Sequence, residues 1–209
     1  MNATTLPARD VAAALIAAVS ADDDHLADRR AELIRRATAG GLVDVAYRVV
    51  DSPFGALLLA CGHDGLLRVA FESEGHDEVL VRLAADVSPR LLEVPARLDE
   101  ASRQLGEYFD GRRRHFELAV DLRLAQGFRR EVLDQLRKID YGTTRSYAEV
   151  AAAAGKPTAV RAAGSACSHN PLPVVVPCHR VVRSDGSLGN YLGGQAMKEA
   201  LLALEESAA

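Results

Sequence analysis

The sequence has little of what marks membrane and secreted proteins. Its 209 residues include only 3 cysteines, Cys61, Cys167 and Cys178, which cannot form a fully paired disulfide framework. No uninterrupted apolar stretch is long enough to span a bilayer, and no basic segment leads into an apolar signal core near the N-terminus. We therefore expect a cytoplasmic protein in a compartment that keeps thiols reduced.

Metal-binding motifs and a strong positive charge are also missing. No spacing of Cys and His resembles a zinc site, so the sequence predicts no metal and no other cofactor. The net charge of −4 argues against tight binding of nucleic acid, but residues 126–209 hold 10 Lys and Arg against 8 Asp and Glu. A weakly basic C-terminal half permits salt-sensitive contact with a few phosphates. This suits a protein that scans DNA better than a tight operator-binding repressor.

The chain divides by pattern into an extension and two domains. Residues 7–39 have the apolar spacing of helices, with an acidic triplet at 22–24, and we assign no chemistry to the extension, residues 1–43. Residues 44–122 are expected to form a small strand-rich domain with flanking helices. Its predicted strands are 45–50, 56–61 and 66–71, and its predicted helices are 76–86 and 98–110. Residues 123–209 form the second, mostly helical domain.

The second domain contains a helix-turn-helix pattern. A first helix is predicted over 128–138. Ser146 is expected to cap a helix that runs to Ala154, and Thr158 to cap another that ends near Ser168. A short glycine-containing turn joins the last two helices, which is typical of DNA-binding proteins, although any pair of packed helices can show it.

The segment Pro177-Cys178-His179-Arg180 carries the strongest chemical signal. Thiolate is the reactive form of cysteine, and a neighbouring imidazole can raise the thiolate population. The alternative interpretation of Cys178 is a buried structural cysteine. Cys167 is a competing nucleophile, but its nearest base, His169, is two residues away and therefore on a different face of the predicted helix.

Together with its surroundings, this segment resembles the O6-alkylguanine-DNA alkyltransferase family. The motifs that carry the resemblance are Tyr141-Gly142, Ser146-Tyr147, 161–166 (RAAGSA), Asn170-Pro171, 177–182 (PCHRVV), Gly189-Asn190-Tyr191 and 198–205 (KEALLALE). The likeness is strong over residues 128–205 and loose over 45–122. It implies an α/β protein with a small, mainly structural ribonuclease-H-like N-terminal domain. A winged helix-turn-helix-like, mostly helical DNA-binding and alkyl-transfer domain would follow.

The resemblance also implies a reaction. Cys178 would accept the alkyl group of O6-alkylguanine in double-stranded DNA and would not be regenerated; O4-alkylthymine is left open as a second substrate. In an extended active-site strand, the side chains of Cys178 and His179 would point to opposite faces. His179 would therefore act as the base through a bridging water, and Glu205 would orient it. Asn170 would be a structural hinge that fixes the turn before this strand.

Further residues are assigned to DNA and to the substrate pocket by the same resemblance. Arg161 would enter the minor groove and fill the gap left by the extruded guanine, and Tyr147 would crowd the target phosphate and contact the flipped base. The implied DNA-contacting residues are Arg161, Tyr147, Ala162, Gly164 and Arg180. The implied pocket residues are Tyr147, Val181, Asn190, Tyr191 and Leu192. The Leu192 amide would face guanine O6, but some relatives have a small hydroxylated residue there, so the preferred alkyl size stays open.

We expect the protein to be a monomer. Two other functions remain as alternatives. A sensor or regulator would bind alkylated DNA without repairing it, but such relatives lack the acceptor thiol that this chain retains. A thiol hydrolase would use Cys178 and His179, but it leaves the helix of Arg161 unexplained and has no evident oxyanion hole.

Overall fold

The computed structural model describes residues 25–207. Residues 1–43 and 44–209 are separate units and are described in turn. In the first unit, residues 25–39 form helix α1, on which Leu26 and Leu33 are exposed. The helix predicted over 7–39 is confirmed from residue 25 onward, and its earlier part lies outside the described residues. No helix within residues 25–207 has the length and apolar character needed to cross a membrane.

A four-stranded sheet forms the first half of the second unit. Its strands are β1 (Val45–Val50), β2 (Leu57–Cys61), β3 (Leu66–Phe71) and β4 (Leu91–Glu93), in the order β3-β2-β1-β4. The first three strands pair antiparallel, and β4 joins β1 in parallel. All residues of β2 are buried because this strand lies inside the sheet. The three predicted strands are confirmed, whereas β4 is too short to show an alternating pattern in the sequence.

Two helices accompany this sheet. Helix α2 (His76–Asp86) buries Val79 and Leu83 against apolar side chains of the first three strands, including Val45, Leu58 and Leu67. Helix α3 (Asp99–Phe109) follows a 3-10 turn that packs on β1, and it buries Leu105 and Tyr108. Both predicted helices are confirmed to within a residue at each end. The last turn of α3 carries the fully buried Tyr108, whose hydroxyl donates a hydrogen bond to Glu205 near the C-terminal end of the second unit.

Four helices build the second half. They are α4 (Phe128–Leu136), α5 (Tyr147–Ala153), α6 (Val160–Ser168) and α7 (Gln195–Ser207). Helix α4 packs on both α5 and α6, and it buries Val132, Leu133 and Leu136. The facing side of α6 consists of the small residues Ala163, Ala166 and Cys167, which let the helices approach closely.

Helices α5 and α6 form the predicted helix-turn-helix. Ser146 caps α5 because its hydroxyl accepts from the Glu149 amide at 3.2 Å, while the Glu149 carboxylate accepts from the Ser146 amide at 2.7 Å. Gly155 follows the helix with φ +79°, a conformation that favours glycine. The predicted cap of α6 by Thr158 is wrong: Ala159 occupies the cap position, and no side chain bonds there.

A small wing accompanies these helices. Strand β5 (Arg145–Ser146) pairs in parallel with β6 (Val181–Val182), and Val182 forms an antiparallel bridge with Leu188 across the intervening turn. This pairing connects the start of α5 directly to the segment after Cys178. The result is the expected winged helix-turn-helix-like arrangement.

Candidate active site

The backbone that carries Cys178 is buried and irregular. All residues from 171 to 180 are buried, and the segment ends in a 3-10 turn, Cys178–Arg180. Val174 has φ +73°, a strained conformation for a β-branched residue that costs about 1–3 kcal/mol. The predicted active-site strand is therefore wrong, and so is the expectation that neighbouring side chains alternate between two faces of a sheet here.

Asn170 ties this segment to the end of α6. Its Nδ2 donates hydrogen bonds to the Val176 carbonyl at 2.8 Å and to the Cys178 sulfur at 3.2 Å. Its Oδ1 accepts from the Leu172 amide at 3.0 Å. The amide is almost fully buried, so all three bonds form away from water. The sequence predicted that Asn170 fixes the turn, but nothing in it indicated the hydrogen bond from Asn170 to the sulfur.

The Cys178 thiol is protonated at neutral pH. Its side chain is only 2% exposed, and this burial raises the thiol pKa to about 11 despite the Asn170 hydrogen bond and the positive charge of Lys198. The expectation that His179 enriches the thiolate in the resting protein is therefore wrong, because desolvation of the charged sulfur outweighs the favourable contacts. A base must remove the proton before the sulfur becomes a strong nucleophile.

His179 has the geometry of such a base. It is fully buried, and its Nε2 lies 2.9 Å from Glu205 Oε1. Burial lowers the pKa of the imidazole, although Glu205 opposes this shift, so the ring is neutral at pH 7. An ionised carboxylate only accepts hydrogen bonds, so Nε2 carries the proton. The other nitrogen, Nδ1, has no hydrogen-bond partner in the described part of the chain and keeps its basic lone pair.

Glu205 is the point at which several donors meet. Its carboxylate accepts from His179 Nε2, from the Tyr108 hydroxyl at 2.6 Å and from the Gly142 amide at 3.0 Å. Arg180 donates through Nε at 2.9 Å and Nη2 at 2.8 Å. Burial alone would raise the pKa of this carboxyl. The hydrogen bonds from His179, Arg180 and Tyr108 outweigh burial and lower the pKa well below its ordinary value.

The location of Arg180 contradicts its predicted contact with DNA. Its side chain is almost fully buried, and its Nη1 donates to the Ile139 carbonyl at 2.6 Å in addition to the pairing with Glu205. A guanidinium held in this way is not available to a phosphate. The sequence could not reveal this, because an arginine beside a histidine looks equally suited to the surface.

Lys198 is a site residue whose role sequence reasoning missed. It is fully buried on α7, its ammonium donates to the Val181 carbonyl, and it lies 5.8 Å from the centre of the Tyr147 ring. Its positive charge acts to lower the pKa of Cys178. A signal was present, since Lys198, Leu201 and Glu205 are three and four residues apart and share the buried face of the helix.

Comparisons with known proteins agree with this geometry. Residues 45–122 match the ribonuclease-like domain of 6-O-methylguanine DNA methyltransferase, and residues 127–207 match the DNA binding domain of the same family. The chain belongs to the 6-O-methylguanine DNA methyltransferase family.

Individual relatives of this methyltransferase family match along most of their own length. A methylated-DNA–protein-cysteine methyltransferase of Mycolicibacterium paratuberculosis is 42% identical over 167 residues, which cover 77% of this chain and 92% of the relative. A methyltransferase of the same name from Methanosarcina barkeri is 40% identical over 164 residues, which cover 77% of this chain and 97% of that relative. The crystal structure of the Mycobacterium tuberculosis O6-methylguanine methyltransferase matches with a TM-score of 0.69 and 38% identity, over 79% of this chain and 94% of that one. The structure of the M. tuberculosis protein in complex with DNA matches with a TM-score of 0.66 and 39% identity. The match covers 78% of this chain and 94% of that one.

In this methyltransferase, the outer face of α6 is small and open. Arg161, Ala162 and Ser165 are exposed, and within residues 25–207 the Arg161 side chain makes no hydrogen bond or ion pair. Surface arginines often pair with a carboxylate, but Arg161 forms no such salt bridge in this part of the chain. Gly164 is half-buried, and its Cβ position is 3.9 Å from the ring of Tyr147. Small residues thus leave room around both Arg161 and Tyr147.

The glycine-rich loop after β6 covers the site. A side chain at Gly189 would overlap the hydroxyl of Tyr147, so glycine lets this half-buried tyrosine sit beneath the loop. Burial raises the pKa of Tyr147 to about 12. Tyr191 places its ring 6.4 Å from the His179 ring and 5.9 Å from the Phe71 ring, measured between centres.

The other predicted pocket residues differ in depth. Asn190 is exposed and Leu192 is half-buried on the same loop, whereas Val181 is fully buried. Val181 contributes its carbonyl to Lys198, and Asn190 lies at the solvent side of the loop.

Proposed function

We propose that this protein repairs DNA by direct reversal, moving a methyl or larger alkyl group from guanine O6 in duplex DNA to Cys178. The observation that carries the proposal is a buried, protonated thiol followed in the chain by a neutral histidine, whose Nδ1 has no hydrogen-bond partner within residues 25–207 and whose Nε2 faces Glu205. The named activity of the relatives supports the same reaction. The new carbon–sulfur bond is stable, so each protein molecule acts once.

The chemical step is a displacement at carbon. His179 Nδ1 accepts the thiol proton, and the sulfur attacks the alkyl carbon. As the sulfur–carbon bond forms, the bond from that carbon to guanine O6 breaks, and its electron pair leaves with the guanine, which takes up a proton. Glu205 stabilises the imidazolium, and the Lys198 ammonium stabilises the developing thiolate.

The lesion must leave the base stack to reach the sulfur. We propose that α6 enters the minor groove and that Arg161 fills the gap left by the extruded guanine, because this side chain is exposed and surrounded by small residues such as Ala162 and Gly164. Tyr147 then crowds the phosphate beside the lesion. Since Cys178 is only 2% exposed, the loop that holds Tyr191 and Leu192 must shift to admit the alkylated base.

We also propose that the protein acts as a monomer in the cytoplasm. Cys178, His179, Glu205, Tyr108 and Asn170 all come from one chain, so the site is complete without a partner. The three cysteines are free thiols, which suits a reducing compartment. Light scattering and cell fractionation check the two statements.

A stoichiometric transfer assay tests the proposed function. The protein is mixed with duplex DNA that carries O6-methylguanine, and the products are followed by intact-protein mass and peptide mapping. We expect a single methyl group, on Cys178, and no transfer by Cys178→Ala. Cys167→Ser is the matched control: Cys167 is also buried, burial raises its thiol pKa, and its loss leaves transfer intact. Binding without methylation would support the sensor, and turnover beyond one equivalent would support the hydrolase.

A second arm of this assay tests Arg161. Arg161→Ala should slow transfer from duplex DNA far more than transfer from the free base O6-methylguanine, because only the duplex requires extrusion. Equal losses on both substrates would rule out an extrusion role for this residue.

A further inference from the structure

One buried hydroxyl reaches the catalytic residues from the ribonuclease-like part of the chain. Tyr108, in the last turn of α3, is fully buried, and its hydroxyl donates to Glu205 Oε1 at 2.6 Å. The same oxygen lies 3.3 Å from His179 Nε2. Burial and the nearby Glu205 charge raise the pKa of this phenol, so it is protonated at neutral pH.

This geometry has a consequence for the proton on His179. The Tyr108 hydroxyl has a single proton, and that proton is directed to Glu205. Its oxygen can then only accept from the imidazole. His179 Nε2 therefore faces two acceptors, the carboxylate oxygen and the phenol oxygen, and both require Nε2 to carry a hydrogen. A neutral ring with hydrogen on Nε2 has its lone pair on Nδ1, the nitrogen that has no hydrogen-bond partner among residues 25–207.

The ring of Tyr108 is fixed by its neighbours. Its centre lies 5.3 Å from the centre of Phe116, 5.6 Å from that of Phe109 and 6.1 Å from that of Tyr141. The hydroxyl is therefore delivered at a defined position, and the ring can keep its packing when the hydroxyl alone is removed.

We infer that Tyr108 is a positioning residue for alkyl transfer: the ribonuclease-like domain supplies the hydroxyl that orients Glu205 and holds His179 in the form with hydrogen on Nε2. The inference rests on the proposed function, since it assigns His179 Nδ1 as the base. It also gives the ribonuclease-like domain a direct part in the chemistry, whereas the family resemblance implies a mainly structural role.

Tyr108→Phe in the full-length protein tests this role. We expect the single-turnover rate constant for methyl transfer to fall about 10- to 100-fold, because the imidazole is less well oriented, while the Kd for duplex DNA stays unchanged. Tyr141→Phe is the matched control. Its hydroxyl lies 3.5 Å from the Leu204 carbonyl, on the same helix as Glu205, and it makes no hydrogen bond with the carboxylate among the described residues. This second variant should transfer at the wild-type rate.

A spectroscopic measurement separates positioning from simple destabilisation. With nitrogen-labelled histidine, NMR should show a proton on Nε2 and none on Nδ1 of His179, assigned by its loss in His179→Gln. In Tyr108→Phe the Nε2 proton signal should shift and some Nδ1-protonated form should appear, while Tyr141→Phe leaves the spectrum unchanged.

The outcomes are distinct. A wild-type rate in Tyr108→Phe, or a slow rate with an unaltered His179 spectrum, overturns the inference and leaves the proposed function intact. If the wild-type protein itself removes no methyl group from DNA, the proposed function fails first.

Discussion

Replacing Glu205 with glutamine removes the charge on which four donors converge. Arg180 is only 6% exposed, and without the carboxylate its guanidinium keeps the Ile139 carbonyl and one amide oxygen as acceptors. Breaking a buried ion pair by removal of one partner costs about 3–5 kcal/mol. We therefore expect Glu205→Gln to lower the free energy of unfolding at pH 7 by this amount, and to slow methyl transfer about 100-fold or more because the imidazolium loses its counter-charge.

The pH dependence of this loss follows from the direction of the pKa shift. The pKa of Glu205 is lower in the folded protein than in the unfolded chain, so folding favours its ionised form. The stabilisation is fully present above the unfolded value of about 4.3 and disappears as the pH falls toward the folded value. In a His179→Gln background, where no imidazole titrates beside this carboxyl, the difference in unfolding free energy made by Glu205→Gln should therefore be constant from pH 8 to about 5 and shrink below that.

Urea denaturation at a series of pH values measures this difference. Glu206→Gln is the matched control, because Glu206 is the next residue on α7 and is exposed, and its replacement should change the unfolding free energy by less than about 0.5 kcal/mol. A loss below about 1 kcal/mol for Glu205→Gln at pH 7 would refute the account of a buried ion pair. So would a difference that stays constant down to pH 3.

Three further substitutions probe the surroundings of the sulfur. Asn170→Ala removes three buried hydrogen bonds and should destabilise the protein by about 2–4 kcal/mol in urea denaturation. It should also raise the thiol pKa of Cys178, as measured by the pH dependence of iodoacetamide labelling. Gly189→Ala should slow methyl transfer because its Cβ overlaps the Tyr147 hydroxyl, and adding Tyr147→Phe should restore part of the rate. Lys198→Met keeps the length of the side chain but removes the charge, so the thiol pKa should rise and transfer should slow.

Each of these predictions has a result that would contradict it. An Asn170→Ala protein with wild-type stability would mean that its hydrogen bonds are replaced without cost. No rescue of Gly189→Ala by Tyr147→Phe would mean that removal of the hydroxyl does not relieve the overlap, since the added Cβ also lies 2.7 Å and 2.8 Å from the ring carbons Cε2 and Cζ. An unchanged thiol pKa in Lys198→Met would mean that the Lys198 ammonium does not stabilise the Cys178 thiolate.

The sequence predicted the elements whose signals are local. The capping box of Ser146 and Glu149 marks the start of α5, and Gly155 marks its end, because both depend on residues a few positions apart. The expected active-site strand was wrong, because tertiary packing enforces an irregular segment in which Asn170 donates a hydrogen bond to the Val176 carbonyl and Val174 has φ +73°.

The parts of the site that depend on distant contacts were beyond sequence reasoning. Tyr108 meets Glu205 across 97 positions of the chain, and no periodicity connects the two. The burial of Arg180 depends on Glu205 and on the Ile139 carbonyl, which belong to other elements. The high pKa of Cys178 likewise reflects how deeply the fold buries the sulfur, a property that the adjacent histidine in the sequence does not reveal.

The pH dependence of single-turnover methyl transfer tests the central claim, that a protonated thiol is activated by internal proton transfer to neutral His179. The thiol pKa of about 11 and the lowered pKa of His179 define a wide range in which the proton moves within the protein and none is lost to solvent. We predict a rate constant that is flat from about pH 6.5 to 9 and that falls in acid as His179 becomes protonated. A rate that rises about tenfold per pH unit across that range would mean that the thiolate forms by losing its proton to water, and it would contradict the role of His179 as the base.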